Sequence, residues 1–304
     1  MRIRFSRIDA WLLLMTLIWG SNFTIVKAAM REIPEYAFGS LRFVIASGLF
    51  LIVIERRAGL RTSASRMTPN DWRLIALLAI VGHTIYQMLF LGGLRRTSVA
   101  NSSLIFGCTP IAVSLVSSYV GHERVPLLRW VGTGLSFSGI YLVVAHASQY
   151  GATLLGDVLI AGALVAWTVY TIGSRVLLRR HSPLVVTGFT MIIGGSLYLP
   201  FGLRSLMQLQ WTSISALAWV GLIYSAALAF VVAYLIWYTG VQRLGNSRTS
   251  LYSNLVPVVA MTVAAIWLAE PLTIRKLIGA VAVLGGLALT RIEAGSGSPP
   301  ADNP

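Results

Sequence analysis

Charge is scarce in this chain of 304 residues, and acid is the scarcest: ten Asp and Glu stand against 24 Lys and Arg, and charged residues make up only 11% of the whole. A soluble domain carries about 25% charge, so a water-exposed globular surface is excluded. The single cysteine, Cys108, rules out an internal disulfide. Its place within an apolar run fits a small buried side chain better than a reactive thiol. The four histidines, His83, His122, His146 and His181, are scattered, with no Cys or Glu at metal-ligand spacing. Glycine-rich turns such as Gly92-Gly93 lack the Lys and Ser/Thr of a phosphate loop. No catalytic constellation, no cofactor and no metal is therefore expected. No Asp or Glu lies deep in an apolar run, which argues against an obligatory carboxylate relay for protons or sodium.

What the chain does hold is apolar length. Hydrophobic residues make up 56% of it and the mean hydropathy is +0.75. A membrane-spanning helix needs about 20 mostly apolar residues. The sequence offers ten such runs, roughly 8–30, 35–54, 72–93, 98–120, 126–146, 155–176, 183–203, 214–240, 246–269 and 273–291. Backbone groups inside a bilayer must satisfy one another, so the expected fold is an all-α polytopic membrane protein.

The second half repeats the first. Asp9 and Trp19 recur as Asp157 and Trp167 at an offset of 148; from there the offset is 147, in Gly48/Gly195, Trp72/Trp219, Gly93/Gly240, Pro110/Pro257, Glu123/Glu270, Gly132/Gly279 and Gly139/Gly286. The expected units are 1–147 and 148–292, each of five helices, followed by a disordered tail over 293–304. Five is odd, so the second unit enters the membrane inverted. Inverted repeats place a transport site at a central cavity between the halves.

Net charge +14 invites a nucleic-acid partner, but the basic residues sit in short connections between apolar runs. With the N-terminus inside, 16 of them fall on the cytoplasmic side and 7 outside, Arg42 standing within a run. The positive-inside rule then puts both termini in the cytoplasm, and no nucleic-acid partner is expected. Arg2, Arg4 and Arg7 ahead of an apolar run imitate a secretory signal, yet the run is too long for one and is itself one copy of the repeat.

Helical spacing supplies the candidate binding residues. His83, Tyr86, Gln87 and Phe90 share one helix face, and Gln87 and Phe90 correspond to Tyr234 and Trp237. Trp19 and Asn22 correspond to Trp167 and Tyr170. An aromatic packing face or an interfacial belt is the competing reading, and Asn22 has the alternative of bonding to a neighbouring helix. Arg42 lies about 10 Å into its run at 1.5 Å per residue; it either snorkels and bonds carbonyls or attracts a substrate carboxylate. Pro110 and Pro257 mark a kink or a broken helix, with Asn254 the candidate contact beside the second. Lys27 reads as an interface residue, Asp9 and Asp157 as helix-opening charges, and Glu123 and Glu270 as turn-orienting ones.

Trp19-Gly20-Ser21-Asn22-Phe23, Leu41-Arg42-Phe43, and the doubled proline and glutamate elements resemble the drug/metabolite transporter superfamily, and within it the ten-span exporters built from two EamA-type repeats. Among those the chain is similar to bacterial amino-acid exporters, including exporters of aromatic amino acids. The resemblance covers residues from about 8 to 291 and implies a basket-like fold around a central cavity in a bacterial inner membrane. It implies a small-molecule substrate, with amino acids favoured and the lipid bilayer as surroundings; oligomeric state stays open. Export of lipophilic cationic drugs is the alternative within transport, and a membrane scaffold or an intramembrane enzyme the alternative outside it.

Overall fold

The computed structural model describes residues 6–109, 111, 112, 116, 127–144, 153–244, 249 and 252–292. Pro110, Glu123, His122, His146, Arg248 and the tail from Glu293 lie outside the described residues. Within them the regular structure is helical throughout. The first half holds α1 (Arg7–Ala29), α2 (Glu35–Ala58), α3 (Leu60–Ser65), α4 (Pro69–Ala79), a π-helical stretch Ile80–Ile85, α5 (Tyr86–Arg96), α6 (Val99–Gly107) and α7 (Leu127–Val144). The second holds α8 (Leu154–Leu178), α9 (Pro183–Met207), α10 (Ala216–Tyr224), a π-helical stretch Ser225–Val232, α11 (Ala233–Leu244), α12 (Val256–Trp267) and α13 (Ile274–Ile292).

Six helical runs among the described residues are long and apolar enough to cross a membrane, two of them continuous through their π-helical stretches (Pro69–Arg96 and Ala216–Leu244). Their starts are written in hydroxyl residues. Thr68, Ser98, Thr153 and Ser215 each accept the backbone N–H three residues on, as N-caps do. Asp9 takes the Ser6 N–H at 2.7 Å, the return arm of a capping box.

The exterior is apolar: Leu17, Leu77, Val165, Leu217 and Val220 stand more than half exposed. Polar side chains such as Asn22, Arg42, His83 and Gln87 are buried instead. This inside-out distribution suits a lipid solvent and would not suit water.

Contacts between helices come in pairs that the 147-residue offset exchanges. α2 packs on α9 and α7 on α13, each helix against its own counterpart. α1 packs on α12 as α8 does on α6, and α1 and α2 touch the stretch 225–232 as α8 and α9 touch 80–85. Small residues permit the closest approaches. A Cβ at Gly20 would stand 2.5 Å from Val259 Cβ, and one at Gly82 would stand 2.6 Å from Tyr170 Cβ and closer still to its ring.

Within the run 246–269, where Pro257 marks a kink or a broken helix in the sequence, the helix is broken. Asn254 and Leu255 form a turn, and Pro257 lies in the first turn of α12 rather than in mid-helix. Proline brings no N–H to bond the carbonyl four residues back and its ring crowds that group, so the ladder stops before it. The counterpart behaves alike: α6 ends at Cys108, with φ −81 and ψ 2, against φ −80 and ψ −16 at Leu255.

Overfilling at Gly82 is expected to destabilise strongly, since Tyr170 is fully buried. Gly82→Ala should cost about 1–3 kcal/mol and lower the thermal midpoint in detergent, whereas Gly48→Ala, with nothing within 4 Å of its Cβ, should leave it in place.

Candidate functional site

Three interruptions border one cavity: the second π-helical stretch, which gives it Ala229 and Phe230, and the breaks ahead of Pro110 and Pro257; Tyr86 and Gln87 follow directly on the first π-helical stretch. Such wide turns inside α-helices gather at functional sites. At the centre is Trp19 of α1. Its ring lies 5.6 Å from Trp167 and 5.8 Å from Tyr234, both edge-on, and 5.4 Å from Trp237. Its indole N–H donates to the Ala229 carbonyl at 3.1 Å, within the second π-helical stretch. Trp167 in turn faces Tyr86 at 5.7 Å and Tyr234 at 5.3 Å. Edge-to-face contacts of this kind hold rings in set orientations.

The cavity among these rings measures about 70 Å³. Small-molecule pockets run to about 300–1,000 Å³, so the rings are closed together in this conformation. The polar groups on the wall are few. Asn22 accepts the Ser225 hydroxyl at 2.6 Å. Gln87 is fully buried, and neither its amide nitrogen nor its oxygen has a hydrogen-bond partner. Arg42 is 1% exposed; its guanidinium carbon sits 3.9 Å from the Phe230 ring centre, and Nε and Nη1 have no acceptor. Among the described residues no carboxylate pairs with Arg42, and none lines the cavity.

Of the residues singled out from sequence, Trp19, Asn22, Arg42, Tyr86 and Gln87 of the first half meet Trp167, Tyr234 and Trp237 of the second on this wall. His83, Tyr170 and Asn254 do not line it. His83 lies behind Tyr234, stacked at 5.9 Å, and its Nε2 is 3.1 Å from the Thr190 hydroxyl, which Tyr170 also meets at 2.8 Å. Asn254 falls in the turn before α12, where the break resets the helix phase and presents Ser253 and Val256 to the cavity instead.

Among the wall residues that escaped the sequence reading, Phe106, Thr109, Ser253 and Val256 form one set. They are the positions four and one before Pro110 and Pro257, matched at an offset of 147. The signal was there in the doubled prolines, since the residues bracketing a break are the ones it turns inward.

Beyond the rings, one end of the bundle is held by a charged network. Lys27 donates to the Thr97 carbonyl and pairs with Glu270 at 3.5 Å, so it is tied across the structure rather than left at an interface. Glu270 accepts the Val99 N–H at 2.9 Å and so caps α6. Asp157 accepts from the Thr97 hydroxyl at 2.5 Å and from the Asn101 amide at 3.2 Å. At the other end Tyr252 donates to Asp9 at 2.6 Å, and Arg180 pairs with Asp71 at 2.9 Å.

An apolar-skinned helical bundle with a buried aromatic and polar cavity, walled by both halves, is the architecture of a multi-pass membrane transporter. The model of the EamA-like transporter family matches residues 6–145 and again 154–292, and the chain belongs to that family. It is similar to the uncharacterized transporter YyaM of Bacillus subtilis (27% identity over 91% of this chain and 90% of the relative). An uncharacterized transporter of Archaeoglobus fulgidus is 29% identical over 91% of this chain and 96% of its own. A probable terminal-alkyne amino-acid exporter of Streptantibioticus cattleyicolor is 26% identical over 92% and 93%. A crystal structure of a protein 19% identical in sequence shares the fold, with a TM-score of 0.68 over 94% of this chain and 96% of that one.

A buried amide with no partner is a cost to folding that an apolar replacement removes. Gln87→Leu is therefore expected to keep or raise the thermal midpoint in detergent, by about 1–3 kcal/mol of relieved desolvation, while flux falls several-fold. Unchanged flux, or flux that falls together with stability, would assign Gln87 to packing.

Proposed function

We propose that this protein exports small metabolites across a bacterial inner membrane, amino acids foremost and aromatic or apolar ones among them, by alternating access. In this reading it has ten spanning helices in two inverted five-helix units, 1–147 and 148–292, around the aromatic cavity, with both termini cytoplasmic. The observation that carries it is the wall itself: Trp19 and Trp167, and Gln87 and Tyr234, are counterparts under the repeat and meet on one small cavity with unpartnered polar groups. Ring faces to hold an apolar body, with a few amides and hydroxyls to orient it, are the usual make-up of a small-ligand pocket. The exchange-related helix contacts support the repeat, and the amino-acid exporter named among the relatives supports the substrate class. Lipophilic cations fit the rings through cation–π attraction, but the buried charge of Arg42 opposes them.

Purified protein in liposomes is expected to move labelled amino acids with large apolar side chains, and to do so faster than drug cations such as tetraphenylphosphonium. Faster flux of the cations would reverse the assignment, and flux of neither class would remove it. A reporter active only in the periplasm, fused after Arg291, should be silent; strong activity would overturn the orientation.

A further inference from the structure

The sequence leaves two readings of Arg42, snorkelling or attraction of a substrate carboxylate, and its surroundings bear on the choice. Its guanidinium lies against two rings, Phe230 with its centre at 3.9 Å and Phe38 at 5.5 Å. A ring holds a cation by its face and accepts no hydrogen bond from the N–H donors at the guanidinium edge in the way an oxygen does. Nε and Nη1 reach no acceptor among the described residues, and at 1% exposure the side chain does not snorkel to an aqueous surface. An uncompensated cation inside a membrane helix is costly enough to default to function. The same wall holds the unpartnered amide of Gln87 and, among the described residues, no carboxylate.

We infer that the solute is an apolar or aromatic carboxylate, that its carboxylate docks on the edge of Arg42 and on the Gln87 amide, and that a substrate ammonium group is dispensable. The inference rests on the transport reading above and narrows its substrate class. A guanidinium edge meets a carboxylate with two parallel charge-assisted bonds, which an amide or a hydroxyl does not match. The apolar body then lies among Trp19, Trp167 and Trp237. An α-ammonium finds ring faces, whose attraction for a cation is modest, and neutral amide and hydroxyl oxygens such as that of Asn22, but among the described residues no carboxylate on the wall. An amino acid is thus accepted for its acid and tolerated in its amine.

Four compounds of one shape separate the two groups: L-phenylalanine, 3-phenylpropionate (no amine), L-phenylalaninamide (no acid charge) and 2-phenylethylamine (no acid). Tryptophan fluorescence of the purified full chain reports their binding, because three indoles line the cavity. The two acids are expected to quench with Kd values agreeing within about threefold, and the amide and amine to bind at least about tenfold more weakly, the range of a charged hydrogen bond. Arg42→Gln should abolish the preference for acids, and Arg42→Lys should keep it in weakened form; the unsubstituted protein reads the preference on its own if either variant fails to fold. Amide or amine binding as tightly as the acids overturns the inference, and so does 3-phenylpropionate failing where phenylalanine binds. If none of the four binds while other solutes cross liposomes, the transport reading stands and this inference falls. If no solute crosses, both fall.

Discussion

Inside a bilayer no water is at hand to satisfy a polar group, and the arrangement of this protein's interior answers that constraint. Many hydroxyls are settled locally. Thr16, Ser21, Thr168 and Thr190 each donate to the carbonyl four residues back, at 2.7–3.0 Å, and so need no distant partner. Others are settled between helices, as where Thr84 donates to the Gly194 carbonyl at 2.9 Å. Arg42, Gln87 and the Trp237 indole nitrogen stay without partners, and all three residues face the same small cavity. The remaining unpartnered atoms are hydroxyls and one imidazole nitrogen, groups far cheaper to leave unpaired than a guanidinium. Desolvation thus points at the cavity independently of any family likeness.

The backbone obeys the same constraint. Broken or widened helices are tolerated in a membrane where they line a cavity or are buried in protein. Here two of the interruptions have a nearby compensation. The Thr109 hydroxyl donates to the Phe106 carbonyl at 2.6 Å, the carbonyl that Pro110, lacking an N–H, does not serve. The Ala229 carbonyl in the second π-helical stretch takes the Trp19 indole, which at once satisfies the backbone and fixes the ring at the centre of the wall. Local strain and ligand-facing geometry are thereby produced by the same residues.

Much of this is legible in the chain because membrane helices declare themselves by composition and because the repeat lets one half check the other. Trp19 with Trp167, and Gln87 with Tyr234, pair by register alone, and they share the wall. The failures have physical causes. Asn254 is polar and stands close to a proline, but the turn it occupies resets the phase of α12 and brings Ser253 and Val256 inward. His83 and Tyr170 sit on the right helices one layer out, where Thr190 of α9 supplies a partner that no local spacing reveals. The π-helical stretches share no residue pattern between Ile80–Ile85 and Ser225–Val232; tertiary packing, not propensity, selects them. Lys27 looks like an interface residue in the sequence because Glu270, its partner, is distant along the chain.

The closed rings and the charged end set what a transport cycle must do. The cavity among Trp19, Trp167 and Trp237 measures about 70 Å³, against about 300–1,000 Å³ for small-ligand pockets, so the rings stand close together. The Lys27 end is tied by charge and by a helix cap. Its ion pair keeps partial contact with solvent, 23% and 14% of the two side chains being exposed, and such pairs contribute about 0–1 kcal/mol. The cap on α6 is more tightly specified, since Glu270 there answers a backbone N–H that would otherwise be orphaned at a helix start. Opening that end therefore exposes the α6 terminus to water, which can replace the carboxylate at little cost. The interlocked rings have no such substitute in water: Trp19, Trp167 and Tyr234 meet edge to face, a contact that water does not reproduce.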